Sequence, residues 1–220
     1  MKKIYIGIVF LFCASLGFFS CLPQTDTTPA TAANFHGIPP QGIGGDSLLN
    51  IKKNRWSAPQ SYTDIAITDI VNFPHDILTG DGSEERYNWS SSAFSQAAVS
   101  EAKSVRVTGY LINVREEGNE SCNGYDSMYH DFHLWIADSS AKSESGSIIA
   151  EATPFWKEQF PGWLLTKFES LKYTQVRVSG WIMWDEDHPE QLGSSRISLW
   201  EIHPMTKFEY FSNGSWQTLQ

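Results

Sequence analysis

From Ser104 onward apolar and polar positions alternate. Val105 and Val107 stand between polar neighbours, Gly109 follows, and Leu111 and Val114 carry the pattern on. A period of two is that of a half-buried strand. Phe132, Leu134 and Ile136 alternate with Asp131, His133 and Trp135, which predicts a second strand, and residues 148–153 form a third. Leu164, Phe168 and Leu171 then recur at helical spacing behind Pro161. Proline suits the first turn of a helix, so one helix is expected to open there. Val176, Val178 and Ile182, with Gly180 inside, make a fourth strand. Ile197 and Leu199 begin a fifth, broken by Pro204 and extended or followed by residues 208–211.

The order strand, strand, strand, helix, strand, strand is that of the OB-fold, a five-stranded Greek-key barrel. Two long polar connections, residues 116–129 and 185–195, fall after the first and fourth strands, where the loops framing an OB ligand site lie. The expected fold is mainly β with one helix: an OB-like barrel over residues 104–212 with an irregular N-terminal extension. A small β-sandwich with one helix is the competing architecture. Gly109 and Gly180 inside strands suit the sharp bends of a barrel wall.

The N-terminal half has another character. Lys2 and Lys3 precede an apolar run from Ile4 to Phe19, which predicts a signal peptide over residues 1–20. Ser20-Cys21 closes the run and resembles the lipobox of bacterial lipoproteins, although Phe18 and Phe19 stand where that motif prefers Leu and a small residue. The resemblance implies lipidation at Cys21 and a place in the bacterial cell envelope, lipid-anchored and facing the periplasm or the outside; without lipidation the chain would be secreted. Residues 21–45, rich in Pro, Gly and Thr, are expected to form a flexible tether. Residues 46–103 are expected to pack on the barrel as an irregular extension, with a turn at residues 79–82 and a short helix at residues 93–99. Residues 213–220 form a tail.

Charge narrows the partners. The chain has 220 residues and a formal net charge of −9, which becomes about −11 once Lys2 and Lys3 leave with the signal. Such acidity argues against nucleic acid, whose binding is driven by neutralising phosphates. It also leaves the acyl chain as the means of membrane attachment. Of 3 Cys, only Cys122 remains as a protein thiol after lipidation, so no internal disulfide is expected.

Candidate chemistry follows from alternation. Asp131, His133 and Trp135 share one side of the second strand; Glu201 and His203 share one side of the fifth; Glu151 lies in the third. The fourth connection adds Asp185, Asp187 and His188. Imidazole and carboxylate are metal ligands, so His133, His188, His203 and Asp185 are candidates for a divalent cation. The simpler expectation is a hydrogen-bonded clasp between His and carboxylate. Some OB-type barrels cut phosphodiesters with metal-bound carboxylates and arginines; Arg106, Arg177 and Arg196, with Asp185 and Asp187, are available for that, but their spacing matches no nuclease motif. Trp135, Trp181, Trp184 and Trp200 are either core or stacking platforms.

The segments Asp131-Phe132-His133-Leu134-Trp135, Ile149-Ala150-Glu151-Ala152-Thr153-Pro154, Val176-Arg177-Val178-Ser179-Gly180-Trp181 and Trp200-Glu201-Ile202-His203-Pro204 resemble a group of exported bacterial proteins. Members look like OB-type domains without an assigned activity, and the resemblance covers roughly residues 46–210. It implies export and the barrel. The function expected is a non-enzymatic binding domain for a glycan, peptide or partner protein, with Asp131, His133, Trp135, Glu151, Trp181, His188, Glu201 and His203 as its ligand side. The alternative is a metal-dependent hydrolase of phosphodiesters.

Overall fold

A computed structural model describes residues 34–75 and 85–220. The signal peptide, Cys21, the tether up to residue 33 and the turn at 79–82 lie outside the described residues. Strands β2 (Ser104–Glu116), β3 (Phe132–Ala137), β4 (Ile148–Ala152), β5 (Gln175–Trp184) and β6 (Trp200–Ser212) form the barrel. Their neighbour order is β2-β3-β4-β6-β5, and β5 pairs back onto β2, which closes the wall. This is the strand order of the OB-fold, with the helical connection between the third and fourth barrel strands.

The long strand β2 serves two partners. Residues 104–110 pair with β5 and residues 110–116 with β3, across a register shift between Leu111 and Asn113. The alternating residues Val105, Val107, Leu111, Leu134, Ile136, Ile148, Val176, Val178, Ile182, Ile202 and Phe208 point inward and make one continuous core. Gly180 sits where the β5–β6 register shifts on both sides of it. A Cβ there would lie 2.3 Å from the Pro204 carbonyl oxygen, so close backbone approach, as well as bending, requires glycine.

Two local expectations are corrected. Pro161 does not open a helix. The connection holds two short helices, α4 (Pro154–Gln159) and α5 (Leu165–Glu169), on either side of it. Pro154 is the helix-starting proline, and Gly162 turns the chain by donating its N–H to the Gln220 carbonyl. Phe168 and Leu171 are buried as expected, but Leu164 is 58% exposed. Nor does Pro204 break the last strand: β6 runs through it, at the irregular pairing beside Gly180, where a proline need not donate to the ladder.

The extension packs on this barrel. Helix α1 (Ser47–Lys53) is capped by Asp46, whose carboxylate accepts from the Leu48 and Leu49 amides. Strand β1 (Thr63–Ile65) adds in parallel to β2, followed by α2 (Ile67–Val71) and α3 (Ser91–Glu101). The C-terminal part of the expected tether, residues 34–45, is also docked: Phe35 and Ile38 are buried, and the Phe35 ring packs 5.0 Å from Tyr129. The tail forms a hairpin through Asn213 and Gly214, both at positive φ, into β7 (Ser215–Thr218).

Candidate functional site

The barrel register assembles the site. Antiparallel pairing sets His133 on β3 directly across from Glu151 on β4. Parallel pairing of Ala150 with Ile202 brings Glu201 and His203 of β6 to the same neighbourhood. All four side chains point away from the core, toward the face on which OB barrels usually receive ligands. That face is not open here. Helix α1 and the two long connections close over it, leaving Asp131, Glu201 and His203 with no exposed surface.

The contacts form a continuous network. His133 Nε2 lies 2.7 Å from Glu151 Oε1, and its Nδ1 lies 3.3 Å from Glu117 Oε1. His203 Nδ1 lies 3.0 Å from Glu151 Oε2 and 3.1 Å from Glu201 Oε1. Arg196 donates to Asp185 Oδ2 at 2.5 Å and to Glu201 Oε2 at 3.1 Å. His188 Nδ1 pairs with the same Asp185 oxygen at 2.8 Å, and its ring lies 6.5 Å from that of His133. Lys53, from α1, reaches Glu120 at 2.8 Å and Asp187 at 3.4 Å. Asn123 donates to Asp131 Oδ1 at 3.0 Å, and the Cys122 thiol faces Glu120 at 3.4 Å.

These partners set the protonation states. Burial opposes a charged His133, but Glu151, with Glu117 and Glu120, overrides it and raises the imidazole to about 9. Burial likewise opposes a charged His203, and Glu151 and Glu201 raise it to about 10. Glu151, although burial would raise it, is held well below the usual carboxylate range by the two imidazoles. Asp131 goes the other way: burial, together with Glu120 and Glu151, lifts it to about 7. Burial also opposes ionisation of Asp185, yet His188 and Arg196 keep it below its ordinary range. The buried Cys122 thiol is pushed up by desolvation and by Glu120. In the metal-free protein the arrangement is a clasp, two protonated imidazoles sharing one carboxylate.

The other candidates fall elsewhere. Trp135 is buried beside the network, its indole N–H donating to the Ser195 carbonyl at 2.6 Å under the Arg115 guanidinium. Trp181 is half-buried on β5, opposite Ser104, with Arg55 5.3 Å from its ring, and does not join the network. Trp184 and Trp200 pack against each other in the core. The arginines do not converge on an open phosphate site: Arg106 pairs with Asp64, Arg177 with Glu209 and Arg196 with Asp185. Lys53 lies in the last turn of α1, beside Lys52. Glu117 and Glu120 lie in an aperiodic loop, where nothing in the pattern singled them out.

One side of the network meets solvent. A cleft of about 360 Å³ opens between α1 and the two connections, lined among others by Lys53, Glu117, Glu120, Tyr125, His133 and His188. Among the described residues no helix is long and apolar enough to cross a membrane.

Comparison with known proteins adds little. No protein-family model matches the chain, and no curated protein matches it. A solved structure described as the crystal structure of yeast Stn1 and Ten1 is similar at a TM-score of 0.37 and 11% identity, over 83% of this chain and 77% of that one. A likeness that distant carries no argument about function.

Proposed function

We propose that this chain is a binding domain of the bacterial cell envelope, exported by its N-terminal signal, tethered through Cys21, and holding a peptide or a segment of a partner protein in the cleft beside His133. The cleft carries the reading. It lies between the two connections that frame ligand sites on OB barrels, and it joins a half-exposed aromatic, Tyr125, to several hydrogen-bonding side chains. Asp46, Glu85, Glu117, Glu120 and Asp187 outnumber Lys53 and the protonated His133 along its wall, which favours a positively charged segment over a polyanion. A glycan, which would use the same polar groups and the Tyr125 ring, is the second ligand class. The metal-dependent hydrolase remains an alternative only if the cluster below the cleft holds an ion.

The test is site-directed photo-crosslinking of the full chain in cells. A crosslinker at Asn119, exposed at the cleft rim, should give a discrete protein adduct; one at Val99, exposed on α3, should not. Equal labelling from both positions, or none from Asn119, would remove the cleft as the protein-binding surface. Cys21→Ala should in parallel abolish acyl labelling and membrane partitioning; unchanged partitioning would defeat the tether.

A further inference from the structure

The network below the cleft holds more carboxylate than fixed positive charge. Glu120, Asp131, Glu151, Asp185 and Glu201 face Lys53 and Arg196, so in the metal-free protein the balance rests on the protons held by His133 and His203. Buried negative charge in excess is unfavourable unless protons or a cation offset it. Donor atoms of Glu120, His133 and Glu151 lie within 4.8 Å of one another, as do those of Asp131, Glu151 and His203, and those of Glu120, Cys122 and Asp131. The three sets overlap at Glu120, Asp131 and Glu151. A separate observation points into the same place: Asp131, fully buried, has one oxygen held by Asn123, while its Oδ2 has no hydrogen-bond partner among the described residues.

We propose that Glu120, His133 and Glu151, with Asp131 beside them, form a site for one divalent transition-metal ion with zinc's preference for nitrogen and oxygen ligands. Each ligand already has a partner that orients it. His133 turns Nε2 toward Glu151 and Nδ1 toward the Glu117 carboxylate, and a metal-bound imidazole characteristically donates its other ring N–H to such a group. The second oxygen of Glu151 has no hydrogen-bond partner among the described residues, with His203 Nδ1 3.0 Å away, and Lys53 holds Glu120. An imidazole among carboxylates selects zinc, manganese or iron over magnesium and calcium. Glu120 and His133 also line the cleft, so an ion has an entry path and a side open to water or ligand. The site does not depend on which partner the cleft receives.

The experiment uses the full chain in detergent, stripped with a chelator, then titrated with zinc and separately with cobalt. Wild type is expected to take up a single equivalent of zinc and to develop the visible absorption of a low-coordinate cobalt site. Glu120→Gln and His133→Gln should each weaken zinc binding by at least ~10-fold and lose the cobalt band, with far-ultraviolet circular dichroism unchanged. Glu120 lies in a partly exposed loop and its glutamine replacement keeps an acceptor for Lys53, so that variant serves even if His133→Gln fails to fold. Absence of stoichiometric zinc in wild type, or equal affinity in wild type and Glu120→Gln, would overturn the site.

Discussion

Replacing Gly180 by valine is expected to destabilise the barrel by at least about 3 kcal/mol, the upper end of what overpacking produces. The reason is local and rigid. A Cβ at this position would meet the Pro204 carbonyl oxygen at 2.3 Å and the Met205 Cα at 2.9 Å, both backbone atoms of β6. Neither can rotate away, so β5 and β6 must separate at the seam on which closure depends. Gly118 supplies the control: a Cβ there meets nothing within 4 Å and its φ is not in the left-handed region, so Gly118→Ala should change stability by less than about 0.5 kcal/mol. Urea unfolding followed by tryptophan fluorescence measures both. Similar midpoints for Gly180→Val and wild type would mean that the seam is not as close as described.

Glu151→Ala carries the second large effect. It removes the carboxylate shared by His133 and His203 and leaves two buried imidazoles with a partner missing. Breaking a buried ion pair from one side costs about 3–5 kcal/mol. The same network imposes a pH dependence on the metal-free protein. His133 at about 9 and His203 at about 10 stand above their ordinary 6.5, so their contribution is complete below about 6.5 and is lost as pH rises through 9 to 10. Asp131, raised to about 7, and Glu186, raised by burial to about 8 despite Arg86, act in the same direction over a lower window. Glu151 and Asp185 are depressed, so their contribution is present at neutral pH and fades only in acid. With chelator present, the melting temperature of wild type should fall by on the order of 10 °C between pH 6.5 and 10. The fall should be much shallower in Glu151→Ala. A flat profile in wild type, or equal slopes in both proteins, would show that the imidazoles are not held protonated by Glu151.

The barrel strands were legible because half of each faces a dry interior. Val105, Val107, Leu134, Ile136, Val176 and Val178 had to be apolar, and their period of two shows it. The outward placement of His133, Glu201 and His203 followed from the same alternation. The helix expected to open at Pro161 does not start there, because the spacing of Leu164, Phe168 and Leu171 is compatible with helix while Pro161 and the contact of Gly162 with the chain end are not. Helical spacing records only which residues can share a face, and tertiary contacts decide whether the backbone completes the turns.

What the sequence determined by itself was the kind and order of the barrel strands, which side of their strands His133, Glu201 and His203 occupy, and that Glu151 lies in the third of them. What only the tertiary structure decided was that these side chains meet and that the face they share is buried. Their meeting depends on the β3–β4 register, which joins residues about twenty apart, and on one parallel contact between β4 and β6, which joins residues about fifty apart. Their burial depends on α1 and on loops that carry Lys53, Glu117 and Glu120 without any periodic signal. Alternation is enforced residue by residue along one strand, because each side chain feels the core or its absence directly. Register and cover are properties of distant segments, set by closure of the whole wall, and no local pattern records them.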